Sequence, residues 1–249
     1  MNKNKKWLSY NDLAWTELII TSPEACCEET ELYSEIIINN STTKPEKLLH
    51  LGCGAGMNDF TFKKHFAVTG VDLTSPMLEI ARKLNPEVKY TPGDMRNIRL
   101  KDKYDAVTIP DSIAYMTTES DLQKTLQTAY YHLNPGGVCL IVVHIRDTFK
   151  ENNFVYSGKQ GDIHVTVFEN NYISGETNYE ATIVYLIRRQ NKLEIFTDTH
   201  TLGLFDMQLW KNLFRRTGFR LKQQKAADTY DRFIVGEGDY PQYIFIGKK

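Results

Sequence analysis

The sequence predicts an α/β protein with a doubly wound, mostly parallel sheet. Three observations carry that prediction. First, short apolar runs at 48–52, 67–72, 87–91, 104–110 and 138–143 alternate with helical patterns at about 57–65, 75–84 and 118–133. Such alternation places helices on both faces of a parallel sheet, whose buried strands read as continuous hydrophobic stretches. Second, the first run ends directly in Gly52, Gly54 and Gly56, and Asp72 closes the second run twenty residues after Gly52. Third, residues 154–204 switch to period-two alternation with tight-turn signals, which marks a separate antiparallel unit.

At the start of the chain, Tyr10 to Ile20 reads as a short helix or irregular cover. Ser22 caps a second helix, with Pro23 at its first position and Glu24 in its first turn. Its apolar stripe is Ala25, Leu32, Tyr33, Ile36 and Ile37, and it ends at Asn39-Asn40. The glycine loop comes next. Glycine has no Cβ and takes positive φ, so the chain turns sharply and a ligand lies against bare backbone. Asp72 stands where an acid accepts hydrogen bonds from both hydroxyls of a ribose. Residues 47–72 therefore read as a βαβ unit for an adenosine-containing cofactor. The Gly-x-Gly-x-Gly spacing differs from the Gly-x-Gly-x-x-Gly of dinucleotide sites, and no Arg or Lys lies between Gly52 and Lys63. The competing reading is a strand–turn–helix corner with no ligand. Farther on, Asp206 caps a helix with the stripe Leu209, Trp210, Leu213 and Phe214, closed by Gly218. Two strands at about 219–225 and 241–247 end the chain.

Three more motifs follow in order: Tyr90-Thr-Pro-Gly-Asp94-Met95, the strand YDAVTIPDS at 104–112, and the turn Asn134-Pro-Gly-Gly137. With LGCGAG and Asp72, these pieces resemble the class I S-adenosylmethionine (SAM) dependent methyltransferases over residues 45–145. The resemblance implies a seven-stranded sheet, SAM as cofactor and S-adenosylhomocysteine as product. It implies that Gly52, Cys53, Gly54 and Gly56 form the cofactor loop, with Leu73 and Met77 beside the ribose acid Asp72. Asp94 would accept from the adenine amino group and Met95 would give its backbone N–H to the ring. Pro110 and Asp111 would stand beside the methionine part. Beyond Val143 the likeness narrows. The stretch DTHTLGLFDMQLWKNLFRRTGF (198–219) is similar to enzymes that N-methylate nucleotide-linked amino sugars, and also to many small-molecule methyltransferases of unassigned substrate.

In-line methyl transfer from an activated sulfonium depends mainly on alignment and exclusion of water. A base serves only to remove a proton from the nucleophile. Three residues are candidates near the methyl. Tyr10 lies in the cover and offers a ring for cation–π contact with a sulfonium. Tyr115 follows the fourth strand. His144 ends the fifth strand and titrates near neutrality when unperturbed, which makes it the candidate base. Each also has an ordinary structural reading, as a core aromatic or a hydrogen-bonded histidine.

In 154–204, Ser174-Gly175 and Gln190-Asn191 are the expected hairpin tips. Folding about them puts Ile163, Val165, Val167, Val184, Leu186, Leu193 and Ile195 on one aliphatic face. The other face holds His164, Phe168, Tyr179, Tyr185, Phe196, Asp198 and His200, a mixed surface suited to a substrate roof. A one-residue slip would exchange faces. The aliphatic face needs a partner, either this chain's own core or a second copy through residues 163–195.

The domain map is therefore a helical cover (1–44), an α/β core (45–150), an antiparallel insertion serving as lid or interface (151–204) and the end of the core (205–249). A net charge of −1 argues against a nucleic-acid partner. The four cysteines have no metal-ligand spacing, no metal is expected, and they suit a reducing cytoplasm. The basic start MNKNKK is not followed by an apolar signal region, because Asp12 and Glu17 interrupt it. No apolar run is long enough for a membrane span. The expected function is SAM-dependent methyl transfer to an amine or hydroxyl of a small molecule, a sugar or secondary metabolite. The alternatives are a SAM-binding protein without transfer activity and a nicotinamide-dependent oxidoreductase. Ile109-Pro110-Asp111-Ser112 lacks the Asn/Asp-Pro-Pro-aromatic motif of enzymes that methylate adenine or glutamine amides.

Overall fold

The computed structural model describes residues 7–226 and 231–249; the basic start MNKNKK lies outside the described residues. In chain order the helices and strands are α1 (Glu17–Ile20), α2 (Cys27–Asn40), β1 (Lys47–Leu51), α3 (Asp59–Phe62), β2 (Ala67–Asp72), α4 (Ser75–Leu84), β3 (Lys89–Pro92), β4 (Tyr104–Ile109), α5 (Glu119–His132) and β5 (Leu133–Val143). The insertion supplies β6 (Asn153–Gln160), β7 (Ile163–Ile173), β8 (Asn178–Arg189) and β9 (Lys192–Gly203). The chain closes with α6 (Met207–Thr217), β10 (Arg220–Lys225) and β11 (Tyr243–Lys248).

Seven strands form one sheet in the order β10-β11-β5-β4-β1-β2-β3. The pairs β1–β2, β1–β4, β2–β3 and β4–β5 are parallel, and β11 runs antiparallel to both its neighbours. The strand order reverses at β1, so the carboxyl ends of β1 and β4 border a crevice where open α/β sheets bind ligands. Alternate strand residues feed two cores. Leu49, Val107, Ile141 and Phe245 pack with Leu122, Leu126, Trp210 and Phe214 of α5 and α6. Leu48, Ala106, Leu140 and Ile244 pack on the other face with Tyr33, Ile37, Phe62 and Leu78.

The Asp206 cap holds, whereas Ser22 caps a 3-10 turn at Pro23–Cys26, and α2 itself starts later, at Cys27, with no side-chain cap. Ser22 Oγ accepts from Ala25 N at 3.3 Å, and Asp206 Oδ1 accepts from Leu209 N at 2.7 Å. Gly218 ends α6 with φ +100°. The helix expected at 57–65 is shorter: only Asp59–Phe62 is α-helical, with turns on either side. The Asn134-Pro-Gly-Gly stretch pairs with its neighbours, so β5 starts at Leu133 rather than Val138.

The insertion is a four-stranded antiparallel sheet, β6-β7-β8-β9. Gln190 and Asn191 form the predicted tip, with φ +49° and +63°. The first tip differs. Ile173 pairs with Tyr179, and both Ser174 N and Gly175 N donate to Asn178 O. The connection is therefore five residues long, and its odd length slips β7 by one position relative to β8 and β9. This corrects the expected face assignment. Val165 and Val167 lie on the inner face with Tyr179, Tyr185, Asp198 and His200, and Val167 pairs directly with Tyr185. Val184, Leu186, Leu193 and Ile195 lie on the outer face with His164 and Phe168. There is no wholly aliphatic face.

The inner face is roofed by the N-terminal cover. Leu13 packs with Val165, Val167, Tyr185 and Ile187, joined by Ile19 and Ile20. The contact is close enough to need glycine. A Cβ on Gly158 in β6 would stand 1.7 Å from the Ile19 carbonyl oxygen. Among the described residues no helix is long and apolar enough to cross a membrane.

Candidate active site

One cavity of about 560 Å³ lies between the carboxyl edge of the large sheet, the cover and the inner face of the small sheet. It gathers nearly every residue singled out in the sequence: Gly52, Cys53, Gly54, Asp72, Leu73, Met77, Asp94, Met95, Pro110, Asp111, Tyr10, Tyr115 and His144. Gly56 stands behind the wall. Its role is close packing, since a Cβ there would meet Tyr90 Oη at 2.6 Å and Asn85 Nδ2 at 2.9 Å.

The glycine loop is tied to the end of β2. Gly52 N and Cys53 N both donate to Val71 O, at 2.7 and 3.0 Å. Asp72 continues the pattern: Oδ2 accepts from Gly54 N at 2.9 Å, and Oδ1 accepts from Thr74 N at 2.9 Å and Thr74 Oγ1 at 2.7 Å. Thr74 thus spends its hydroxyl on Asp72 and does not cap α4 with it. All three loop glycines have positive φ. Gly52 is confined, because a Cβ would meet Ser112 Oγ at 2.2 Å, whereas a Cβ on Gly54 would meet nothing within 4 Å. Gly54 therefore presents bare backbone to open space beside an acid.

A buried network supports the loop from below. His50 Nδ1 and Asp59 Oδ1 are 2.7 Å apart, Tyr90 Oη donates to Asp59 Oδ2 at 2.9 Å, and Asn85 Nδ2 donates to the Gly56 carbonyl at 2.9 Å. Asp94 is turned onto its neighbour. Its oxygens accept from Arg96 N at 2.8 Å, from Nε at 3.0 Å and from Nη2 at 2.6 Å. Burial pushes the Asp94 carboxyl up, but the Arg96 contacts outweigh it and hold the group below its ordinary range.

The remaining expected residues form two hydrogen-bonded groups. Asp111 has φ +56° and ψ −45°, a conformation unusual for a side-chain-bearing residue and frequent at functional sites. Its Oδ1 accepts from Gln242 Nε2 at 2.9 Å, and the same nitrogen lies 3.3 Å from His144 Nε2. His144 Nδ1 is 3.0 Å from the Pro241 carbonyl. The carbonyl only accepts, so Nδ1 carries the hydrogen and Nε2 accepts from Gln242. Burial lowers the His144 pKa to about 4, against the pull of the Pro241 carbonyl. Both ring nitrogens are engaged and the ring is neutral, so His144 is poorly matched to take a proton from an ammonium. In the second group, Tyr10 Oη and Tyr115 Oη are 2.6 Å apart. Tyr115 Oη lies 2.5 Å from His200 Nδ1, and His200 Nε2 lies 2.9 Å from Asp198 Oδ2.

These features match known proteins. Residues 48–137 fit the family model for a methyltransferase domain. Over 205 residues the chain is 27% identical to the dTDP-4-amino-2,3,4,6-tetradeoxy-D-glucose N,N-dimethyltransferase of Saccharopolyspora spinosa, covering 80% of this chain and 82% of that protein. Its fold superposes on Streptomyces venezuelae DesVI with a TM-score of 0.79 at 21% identity, over 98% of both chains. The SAM-bound amino pentose methyltransferase CalS10 of Micromonospora echinaspora gives 0.74 at 19% identity, over 100% of this chain and 99% of that one. The fold is that of the class I SAM-dependent methyltransferases, and residues 48–137 carry a methyltransferase domain.

The cofactor half of the methyltransferase fits that group. Gly54 offers a surface that a side chain would fill, with Asp72 at its edge. The other half was less legible in the sequence. Glu17 of the cover and Glu169 of β7 line the cavity, with Tyr156, Tyr179, Tyr185 and Tyr240. Burial pushes both glutamate carboxyls above their ordinary range. Glu169 escaped notice because its face depends on the slipped register of β7. Gln242 and Tyr240 carry no motif, and only their place just before β11 brings them to the site.

Proposed function

We propose that this methyltransferase acts on the amino group of a nucleotide-linked sugar. The observation that carries the reading is the pair Glu17 and Glu169 in the acceptor half. Both are half-buried carboxyls on the cavity wall, and among the described residues neither is ion-paired. A buried carboxylate without a counter-charge is costly. An amine acceptor, which becomes a positively charged ammonium on methyl transfer, relieves that cost, and a neutral hydroxyl does not. The printed activity of the Saccharopolyspora relative, an amino-sugar N,N-dimethyltransferase, supports the same class.

When bound, SAM supplies a methyl group already activated by its sulfonium. The chain's own residues bind and orient. Asp72, which holds Gly54 in place, would accept from the ribose hydroxyls. Met95 would offer its backbone N–H to the adenine ring, and Asp94 holds Arg96 beside it. Tyr10 and Tyr115 bring the cover and the β4 turn together over the reacting nitrogen and exclude water. Proximity then supplies much of the rate. The reading is of a cytoplasmic enzyme, because its four free cysteines suit a reducing compartment.

The test is to incubate the protein with SAM and either a dTDP-amino sugar or the matching dTDP-hydroxy sugar, then weigh the products by mass spectrometry. Methylation of the amino sugar alone is expected. Transfer to the hydroxy sugar would overturn the amine assignment. Binding of S-adenosylhomocysteine without transfer to any amino sugar would favour a binding protein instead.

A further inference from the structure

We propose that Tyr10, Tyr115, His200 and Asp198 form a proton relay that carries the proton released on methylation away from the acceptor nitrogen. The proposal rests on the amine reading above. Its direction follows from the acid at its far end. Asp198 Oδ2 accepts from Ser9 N and Ser9 Oγ, both at 3.0 Å, and faces His200 Nε2 at 2.9 Å. A carboxylate only accepts, so Nε2 carries a hydrogen, and in the neutral resting ring that the relay requires Nδ1 presents a lone pair. Tyr115 spends its one proton on that lone pair at 2.5 Å. Tyr10 therefore spends its own on Tyr115 Oη at 2.6 Å. Tyr10 is left with bare oxygen lone pairs at the cavity wall, an acceptor for a ligand N–H.

The rings are fixed as well as the hydrogen bonds. Trp7 packs on Tyr115 and His200 with centroids 5.0 and 5.7 Å away. Asp198 and His200 are 6% and 1% exposed, so the acid end is sealed from water. Burial raises the Asp198 carboxyl, but the Ser9 backbone N–H and His200 outweigh it and keep the group ionised. Burial also raises Tyr115 and Tyr10 above their ordinary range, which opposes a standing phenolate and favours concerted transfer.

The step balances. Attack by a neutral amine gives a methylated ammonium. Its N–H bond breaks, and the electron pair stays on nitrogen. That proton joins Tyr10 Oη as the Tyr10 proton passes to Tyr115 and the Tyr115 proton passes to His200 Nδ1. One N–H bond is lost on the acceptor and one is gained on the imidazole, whose positive charge faces Asp198. No electrons change hands, and once the product leaves the same chain runs in reverse, so that Tyr10 Oη gives the proton to water entering the cavity. The nitrogen regains its lone pair in place, which is what a second methyl transfer requires. Asp198 is a positioning residue in this scheme, and His200 is the store.

Tyr115 and Asp198 hydrogen-bond His200, Tyr10 packs on its ring, and Glu17, Glu169, Tyr179 and Tyr185 line the same cavity. Two variants separate the relay from packing. Tyr115→Phe keeps the ring and removes the link, and Asp198→Asn keeps the shape and removes the charge. With a dTDP-amino sugar, kcat should fall about 10²-fold or more, the scale of one acid–base group. KM and calorimetric S-adenosylhomocysteine affinity should stay unchanged, and singly methylated product should accumulate. The pH profile of kcat should differ between the parent and Tyr115→Phe, because the variant cuts the path from the acceptor to His200. An unchanged pH profile and product ratio in both variants would overturn the relay and leave the amine reading standing. A parent inert toward every amine would overturn both. Nitrogen-15 NMR of the S-adenosylhomocysteine complex reads the tautomer without turnover: a hydrogen on Nδ1 of neutral His200 would also overturn the relay.

Discussion

Replacing Asp72 by alanine tests the cofactor half, and its cost follows from the geometry. The carboxylate has two tasks. It accepts three protein hydrogen bonds, from Gly54 N, Thr74 N and Thr74 Oγ1. It also offers its remaining lone pairs to the ribose hydroxyls. Hydrogen bonds to a charged acceptor contribute about 1.5–3 kcal/mol each. Two ribose contacts, discounted because the group is only partly buried, give about 2–4 kcal/mol, or roughly 30- to 700-fold in affinity. Loss of the Gly54 pin adds loop freedom in the free protein and acts in the same direction. Isothermal calorimetry with S-adenosylhomocysteine measures the change, with circular dichroism confirming the fold. Asp72→Asn is the sharper variant. It preserves size but turns a donor toward one of the donors now satisfied, so it should lose affinity nearly as far. Unchanged affinity in both variants would show that the ribose does not lie at Asp72.

Four further outcomes are expected. Gly52→Ala should destabilise the fold by about 2–4 kcal/mol in denaturant melts, because φ is +72° and Ser112 Oγ blocks the new Cβ; Gly54→Ala should stay folded and lose S-adenosylhomocysteine affinity. Glu169→Gln should raise KM for the amine acceptor about tenfold or more while leaving S-adenosylhomocysteine binding unchanged; equal KM would remove Glu169 from acceptor recognition. His144 is held neutral, so between pH 6.5 and its folded pKa of about 4 the unfolded chain takes up a proton that the native state refuses. Stability should therefore fall by about 2–3 kcal/mol on acidification through that window and be fully present above it, and His144→Gln should flatten the slope. Lastly, any self-association through 163–195 should use the outer face, where Phe168 and Ile195 are 44% and 60% exposed. Ile195→Lys should then give a folded monomer by light scattering, while Val165→Asp, at a site 1% exposed, should unfold the chain. A monomeric parent at high concentration would end the interface proposal.

The cofactor half was legible because its chemistry is local in sequence. A strand, a glycine loop and an acid twenty residues on meet across one parallel pair, β1 with β2, and the backbone fixes where each points. The alternation of runs gave the parallel core for the same reason, since each strand end could be read from its own neighbours. The losses are just as physical. Asp94 was offered to adenine from its motif position, and its bonds to Arg96, two residues away, at both carboxylate oxygens carried no signal in the sequence. His144 was placed at the right strand end, yet its basicity depends on Pro241 and Gln242, nearly a hundred residues later. No spacing rule carries that information.

The acceptor half turns on a single residue of register. With a two-residue tip at Ser174-Gly175, Glu169 would face solvent and Phe168 would face the site. The five-residue connection reverses this and sets Glu169 opposite Ile183, which in turn pairs with Asp198. Asp198 and His200 then stand two residues apart on one strand and one face, as the 2.9 Å contact between them requires. Their partners come from Ser9 and Tyr10 in the cover and from Tyr115 after β4. Three separate segments converge there only because the cover lies flat on the small sheet, and Gly158 permits that approach. A larger residue at 158 should therefore act on the relay at a distance. Gly158→Val would lift α1, part Tyr10 from Tyr115, and lower kcat for the amine while the glycine loop, held by its own bonds to Val71 and Asp72, still binds S-adenosylhomocysteine. Loss of cofactor binding in that variant would mean that the cover holds both halves of the site together.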